Sequence, residues 1–162
     1  MLFVKFSERA LCATWFGGLA LALAFPWSVA RFLSIKEWSV GYAAFAMYLE
    51  AVLPAIIAAF FGARFGSRIC RQESSLSDFG FCALGVKISI ATAVAWLIVG
   101  FLSIVVCGLF FDTSRFAGGI FVLVLFGFPV YGAIAGFGGL ALRRLVMRQG
   151  MIKGGSGQKN AK

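Results

Sequence analysis

Glu50 and Pro54 stand four residues apart in the apolar stretch MYLEAVLPAII, where both residue types are costly. A carboxyl group inside hydrocarbon marks an ion pathway, a proton relay or a hydrogen bond between helices. Because proline has no N–H, the carbonyl of Glu50 is predicted to lose its usual partner four residues ahead. Together the two residues predict a polar site, which is stable only where it faces protein or water.

Two polar residues of other apolar stretches are candidates to face Glu50. Glu50 stands fourteen residues before Arg64, and Tyr131 stands twelve residues before Arg143. At 1.5 Å per residue they lie about 21 Å and about 18 Å from the inner membrane edge, which makes Tyr131 the first candidate partner and Thr92 the second. The predicted intramembrane polar site therefore consists of Glu50, Pro54, Tyr131 and Thr92.

The site has two interpretations, and the residue types alone leave both open. In the structural interpretation, Glu50 is protonated and forms a hydrogen bond with a neighbouring helix. In the functional interpretation, Glu50 binds and releases protons that drive transport.

Other constellations that do chemistry are missing from the sequence. There is no histidine, and the four cysteines show no C-x-x-C spacing, so we expect no metal site and no cofactor. Lys87 and Ser89 are the residue types of a serine/lysine hydrolase, but side chains two positions apart on a helix point in different directions. We therefore expect that the chain is not an enzyme.

Membrane helices must position these residues. The chain has 162 residues, of which 61% are hydrophobic and 13% charged, against about 45–50% and about 25% in soluble domains. A membrane-crossing helix needs roughly 20 apolar residues, and four continuous stretches qualify, at about 10–30, 40–63, 82–111 and 118–142. The sequence predicts an all-α integral membrane protein, an antiparallel bundle of four transmembrane helices within residues 1–148.

Basic residues predict the orientation, because Lys and Arg near helix ends are retained on the cytoplasmic side. Eleven lie on one side of the predicted spans and three on the other. The eleven are Lys5, Arg9, Arg64, Arg68, Arg71, Arg143, Arg144, Arg148, Lys153, Lys159 and Lys162; the three are Arg31, Lys36 and Arg115. We expect cytoplasmic N and C termini in a bacterial inner membrane, with residues 149–162 forming a flexible basic tail. These charges favour anionic lipid headgroups, and we expect no nucleic-acid partner.

Small residues indicate where helices approach one another. Gly132 and Gly136 form a G-x-x-x-G pair deep in the fourth span, which is typical of close helix packing. Gly62 and Gly66 form a second pair, but they lie at the predicted membrane edge, where we interpret them as flexible chain. The expected partners are the lipid bilayer and other membrane helices, in a homo-oligomer or a hetero-oligomer.

A weak internal repeat accompanies these features. Pro54 stands fourteen residues before Arg68, and Pro129 stands fourteen residues before Arg143, so the two pairs have the same spacing. Both pairs lie on helices that are predicted to run toward the cytoplasm, and repeats of this kind occur in transporters. The spacing raises the hypothesis that a two-helix unit occurs twice in the chain.

Two functions fit these patterns. We expect the chain to act as a subunit or assembly partner in a membrane complex, through contacts between helices. The alternative is a small proton-coupled transporter or channel built around Glu50. In that alternative the protein is expected to be an oligomer, because four helices enclose little space.

Overall fold

The structure, a computed structural model, describes residues 8–34, 40–71, 78–109 and 127–148, almost all of them helical. Five α-helices are present in these ranges: α1 (Glu8–Ser34), α2 (Val40–Met47), α3 (Leu53–Arg71), α4 (Asp78–Gly108) and α5 (Phe128–Arg148). A π-helical turn, Tyr48–Val52, joins α2 to α3 without a break. The prediction of an all-helical chain is confirmed for the described residues.

Three helical segments of the described chain are long and apolar enough to cross a membrane, judged by length and composition: Arg9–Ala30, Ala43–Gly66 and Phe79–Gly108. They support the prediction of a membrane protein. Residues 118–126 of the fourth predicted span lie outside the described residues, so that span is seen only from Gly127 onward. α1 extends beyond both predicted limits, and α3 and α5 extend beyond the predicted C-terminal limits, because an apolar run locates the hydrocarbon core and misses the polar turns at each end. α4 begins earlier than predicted, at Asp78, and ends at Gly108, before the predicted limit at 111.

Glycines let α1 and α3 approach closely. A Cβ atom added at Gly62 would lie 2.7 Å from the carbonyl oxygen of Cys12 and 3.1 Å from the Cβ of Phe16, and one at Gly66 would meet the side chain of Cys12. Both glycines are buried inside α3. The interpretation of Gly62 and Gly66 as flexible chain is therefore wrong, because their missing side chains make room for a neighbouring helix.

Gly132 and Gly136, the predicted glycine pair, lie on α5 and face α4. A Cβ atom at Gly136 would be 3.1 Å from the Sγ of Cys82 and 3.4 Å from a methyl group of Val86, whereas one at Gly132 would lie 3.5 Å from the Oγ of Ser89. The contact at Gly136 is tight, and the contact at Gly132 is an ordinary one.

Two other glycines make the closest contacts between α4 and α5. A Cβ atom at Gly85 would overlap the backbone carbonyl of Ala135, and one at Gly139 would overlap the carbonyl of Phe81. Each helix thus brings a glycine against the backbone of the other. Gly85 was not identified from the sequence, since it belongs to no G-x-x-x-G pair.

One side chain links α1 to α5 at the end of the bundle where α1 begins. The indole N–H of Trp15 donates to the carbonyl of Gly138 over 3.0 Å. Nearby, the guanidinium of Arg143 lies 5.2 Å from the centroid of the Phe81 ring. Trp15 packs against a buried cluster that joins the helices, formed by Cys12, Phe16, Ala20, Ala58, Ile88, Tyr131, Ala135 and Leu142.

Candidate functional site

A cavity of about 290 Å³ lies between α1, the π-helical turn, the start of α3, α4 and the start of α5. All four residues of the predicted polar site line this cavity. The complete lining is Ala20, Leu23, Ala24, Trp27, Glu50, Pro54, Thr92, Trp96, Gly127, Phe128, Val130 and Tyr131.

The π-helical turn carries Glu50, whose side chain is only 4% exposed. Within the turn, the N–H of Leu53 donates to the carbonyl of Tyr48, five residues back. In this five-residue register, the carbonyl of Leu49 would accept from the backbone N–H of residue 54. Residue 54 is a proline and has no N–H. The prediction for the Glu50 carbonyl assumed the four-residue register of an α-helix, whereas in the π register it is the Leu49 carbonyl that faces Pro54.

Trp96 supplies the missing donor. Its indole N–H donates to the carbonyl of Leu49 over 2.8 Å, and its side chain is 2% exposed. The ring also meets Phe128 edge to face, with centroids 5.4 Å apart. Trp96 therefore connects α4 both to the turn that carries Glu50 and to the start of α5.

Tyr131 presents a buried hydroxyl to the same region. The side chain is 7% exposed, and its hydroxyl forms no hydrogen bond with any residue that the structure describes. The predicted direct partnership with Glu50 is therefore not formed. Glu50 and Tyr131 have nearly the same predicted depth in the membrane, but depth does not fix the distance between the helices that carry them.

Thr92 lines the cavity but uses its hydroxyl hydrogen locally. Its Oγ1 donates to the carbonyl of Ile88, four residues back, over 2.8 Å. This bond within the helix is the usual one for a buried threonine. The oxygen of Thr92 can still accept a hydrogen bond from a group in the cavity.

The residues that line the cavity favour a positively charged ligand. Four aromatic side chains, those of Trp27, Trp96, Phe128 and Tyr131, contribute to the wall, and Glu50 is the only acid among the lining residues. None of the lining residues is basic. Because aromatic faces and a carboxylate both attract cations, the cavity suits a small cation with an apolar body.

Trp96 was missed from the sequence, although a repeated motif points to it. The segments ALAFPWSVARFLSI at 22–35 and ATAVAWLIVGFLSI at 91–104 are identical at seven of fourteen positions. Their alignment places Trp27 opposite Trp96 and Leu23 opposite Thr92, and all four line the cavity. The offset between these two segments along the chain therefore differs from the offset between Pro54 and Pro129.

No family model matches the chain, and no curated protein or solved structure is significantly similar to it. What the protein does must therefore be inferred from its own residues and their geometry.

Proposed function

We propose that the cavity at Glu50 binds a small organic cation in exchange for a proton, so that the chain acts as a small proton-coupled transporter. One observation carries this proposal: separate helices bring a buried carboxyl group, a buried phenol and three further aromatic rings onto one cavity. Its volume of about 290 Å³ lies near the lower limit of the roughly 300–1,000 Å³ typical of ligand pockets. The cation must therefore be small.

The proposed exchange follows from the cost of burying charge. In the proposed cycle Glu50 carries a proton when no cation is bound, because a charged carboxylate buried among apolar and aromatic residues is costly. An entering cation pairs with the carboxylate and with the aromatic faces of Trp27 and Trp96, and the proton leaves. Since one carboxylate cannot hold both, proton and cation compete, and each is carried when the other is absent.

We further propose four membrane spans in an antiparallel bundle, with both termini in the cytoplasm of a bacterium and the bundle in its inner membrane. In support, Cys12 at the start of α1 lies against Gly66 near the end of α3, and Leu142, which precedes Arg143 on α5, belongs to the same buried cluster as Cys12. The helix ends that carry most of the basic residues thus lie together, and such a cluster is typical of a cytoplasmic face.

The transport proposal is tested in liposomes with tetramethylammonium and benzyltrimethylammonium as probes. A gradient of either cation should drive proton movement in the wild type, and an alkaline pH should strengthen cation binding. Glu50→Gln should keep the fold but abolish both effects, because an amide neither exchanges a proton nor pairs with a cation. Ser103→Ala is the control, since Ser103 donates to the carbonyl of Val99 outside the cavity. Unchanged coupled flux in Glu50→Gln would contradict the proposal.

A second candidate function is that of a subunit or assembly partner in a membrane complex. The outer half of α4 favours it, because Phe101 is 67% exposed and is flanked along the helix by other exposed apolar side chains. Such a face contacts lipid or the helices of another chain.

Purification in mild detergent separates the two candidates. A stoichiometric partner chain that is lost in Phe101→Asn but retained in Phe60→Asn would favour the subunit function. Phe60 is the matched control, because it is a similarly exposed phenylalanine on α3. A lone chain or homo-oligomer with coupled flux would favour transport.

A further inference from the structure

The backbone around Glu50 can adopt two hydrogen-bond registers. In an α-helical register, the N–H of Leu53 would serve the carbonyl of Leu49, four residues back, and Pro54 would leave the Glu50 carbonyl without a donor. In the observed π register, the N–H of Leu53 serves Tyr48 instead. The carbonyl of Leu49 then depends on a donor from outside its own helix.

We infer that Trp96 is a positioning residue that holds the π register and thereby directs Glu50 toward the cavity. Its indole N–H is the outside donor, bonded to the Leu49 carbonyl over 2.8 Å between two buried groups. Without this bond, the carbonyl of Leu49 is satisfied only by a return of the Leu53 N–H, which is the α register.

The register matters because it sets the direction of the Glu50 side chain. Successive residues of an α-helix are rotated by about 100° around the axis. Removing the extra residue of the π turn rotates the preceding segment by about that angle relative to α3. Glu50 would then leave the face that lines the cavity, and a neighbouring apolar residue would replace it.

The substitution Trp96→Phe isolates the hydrogen bond, because it keeps an aromatic ring beside Phe128 and removes the N–H. Trp15→Phe is a matched control, since Trp15 also donates its indole N–H to a backbone carbonyl, at a position distant from Glu50. Pro54→Ala provides the rescue. It restores an N–H at position 54, which can serve the Leu49 carbonyl in the π register or the Glu50 carbonyl in the α register, so that the Leu49 carbonyl has a donor within its own helix in either register.

The first measurement is the equilibrium constant of unfolding in mixed micelles, which needs no knowledge of the ligand. Trp96→Phe is expected to raise this constant roughly tenfold by leaving a buried acceptor unsatisfied. In the Pro54→Ala background, the increase in the unfolding constant caused by Trp96→Phe should be at least threefold smaller, because the restored N–H replaces the indole as a donor within the helix. Equal costs in both backgrounds would overturn the inference that Trp96 serves the carbonyl vacated by Pro54.

The second measurement tests the orientation of Glu50 and rests on the proposed cation–proton exchange. Of the lining residues, α1 and α4 contribute none that titrates, and α5 contributes only Tyr131. The midpoint pH of benzyltrimethylammonium binding therefore reports on Glu50. It should shift in Trp96→Phe and stay at the wild-type value in Trp15→Phe.

The two measurements separate failure of this inference from failure of the proposed function. If the wild type binds no cation, the proposed exchange is wrong, and the unfolding measurements alone decide whether Trp96 holds the register. If the wild type binds the cation but Trp96→Phe and Trp15→Phe keep the same midpoint, Trp96 does not position Glu50.

Discussion

Gly17→Ala and Gly18→Ala should have opposite effects on stability, although the two residues are adjacent in α1. A Cβ atom at Gly17 would lie 2.9 Å from the Cβ of Ala59 and 3.1 Å from the carbonyl oxygen of Ala55, whereas one at Gly18 would have no neighbour within 4 Å. Non-bonded carbon atoms prefer separations of about 3.5–4.0 Å, so Gly17→Ala forces α1 and α3 apart by roughly 0.6 Å or more.

The magnitude follows from two opposing terms. Replacing glycine by alanine within a helix stabilises it by roughly 0.5–1 kcal/mol at either position. Overpacking a close contact costs typically about 1–3 kcal/mol, and this cost applies only to Gly17→Ala. The two free energies of unfolding should therefore differ by about 1–3 kcal/mol, with Gly18→Ala the more stable variant.

Unfolding in mixed micelles with rising dodecyl sulfate, followed by far-ultraviolet circular dichroism, measures this difference. The neighbouring positions share the same helix and the same substitution, so solvation and propensity effects largely cancel. Free energies within about 0.5 kcal/mol of each other, the usual range for substitutions without a specific contact, would refute the close packing of α1 on α3 at Gly17.

Three further outcomes are expected. Gly136→Leu should impair folding more than Ile134→Leu does, because an added Cβ at Gly136 already meets α4; equal yields of folded protein would place that face toward lipid. Reporter fusions after Arg148 and within Ser34–Trp38 should report opposite sides of the membrane, and the same side for both would disprove the proposed topology. Trp15→Phe should lower the free energy of unfolding by about 1 kcal/mol through the lost bond to α5, and no measurable change would mean that water replaces the donor.

The helical architecture could be predicted from the sequence because hydrocarbon restricts the backbone to few solutions. A long apolar run must satisfy its own hydrogen bonds, so it becomes a helix. The fixed rise per residue then gives each side chain a depth, which placed Glu50 and Tyr131 at nearly one level. The structure does bring both to one cavity.

The details of the site could not be predicted, because they depend on rotation and register rather than depth. No residue pattern signals directly that the turn at Glu50 is π-helical, so the sequence does not predict that the Leu49 carbonyl needs a donor from another helix. Trp96 is not predicted as a site residue, because tryptophan is expected at membrane interfaces and Trp96 lies in the middle of a helix. The contact between Gly85 and Ala135 depends on how two helices cross, which a single helix does not encode.

Two of the close contacts between a glycine and a cysteine side chain have a consequence for biogenesis. Cys12 meets Gly66 in the first half of the chain, and Cys82 meets Gly136 in the second, with the same separation along the chain in each pair. Because a ribosome delivers the N-terminal half first, α1 and α3 can associate as a hairpin while α4 is still being translated. The cavity also needs Thr92, Trp96 and the start of α5, so the nascent first hairpin carries Glu50 without an enclosed site. Any solute-binding activity would therefore arise only once α4 and α5 have been inserted. Incomplete chains in the membrane would then bind no solute.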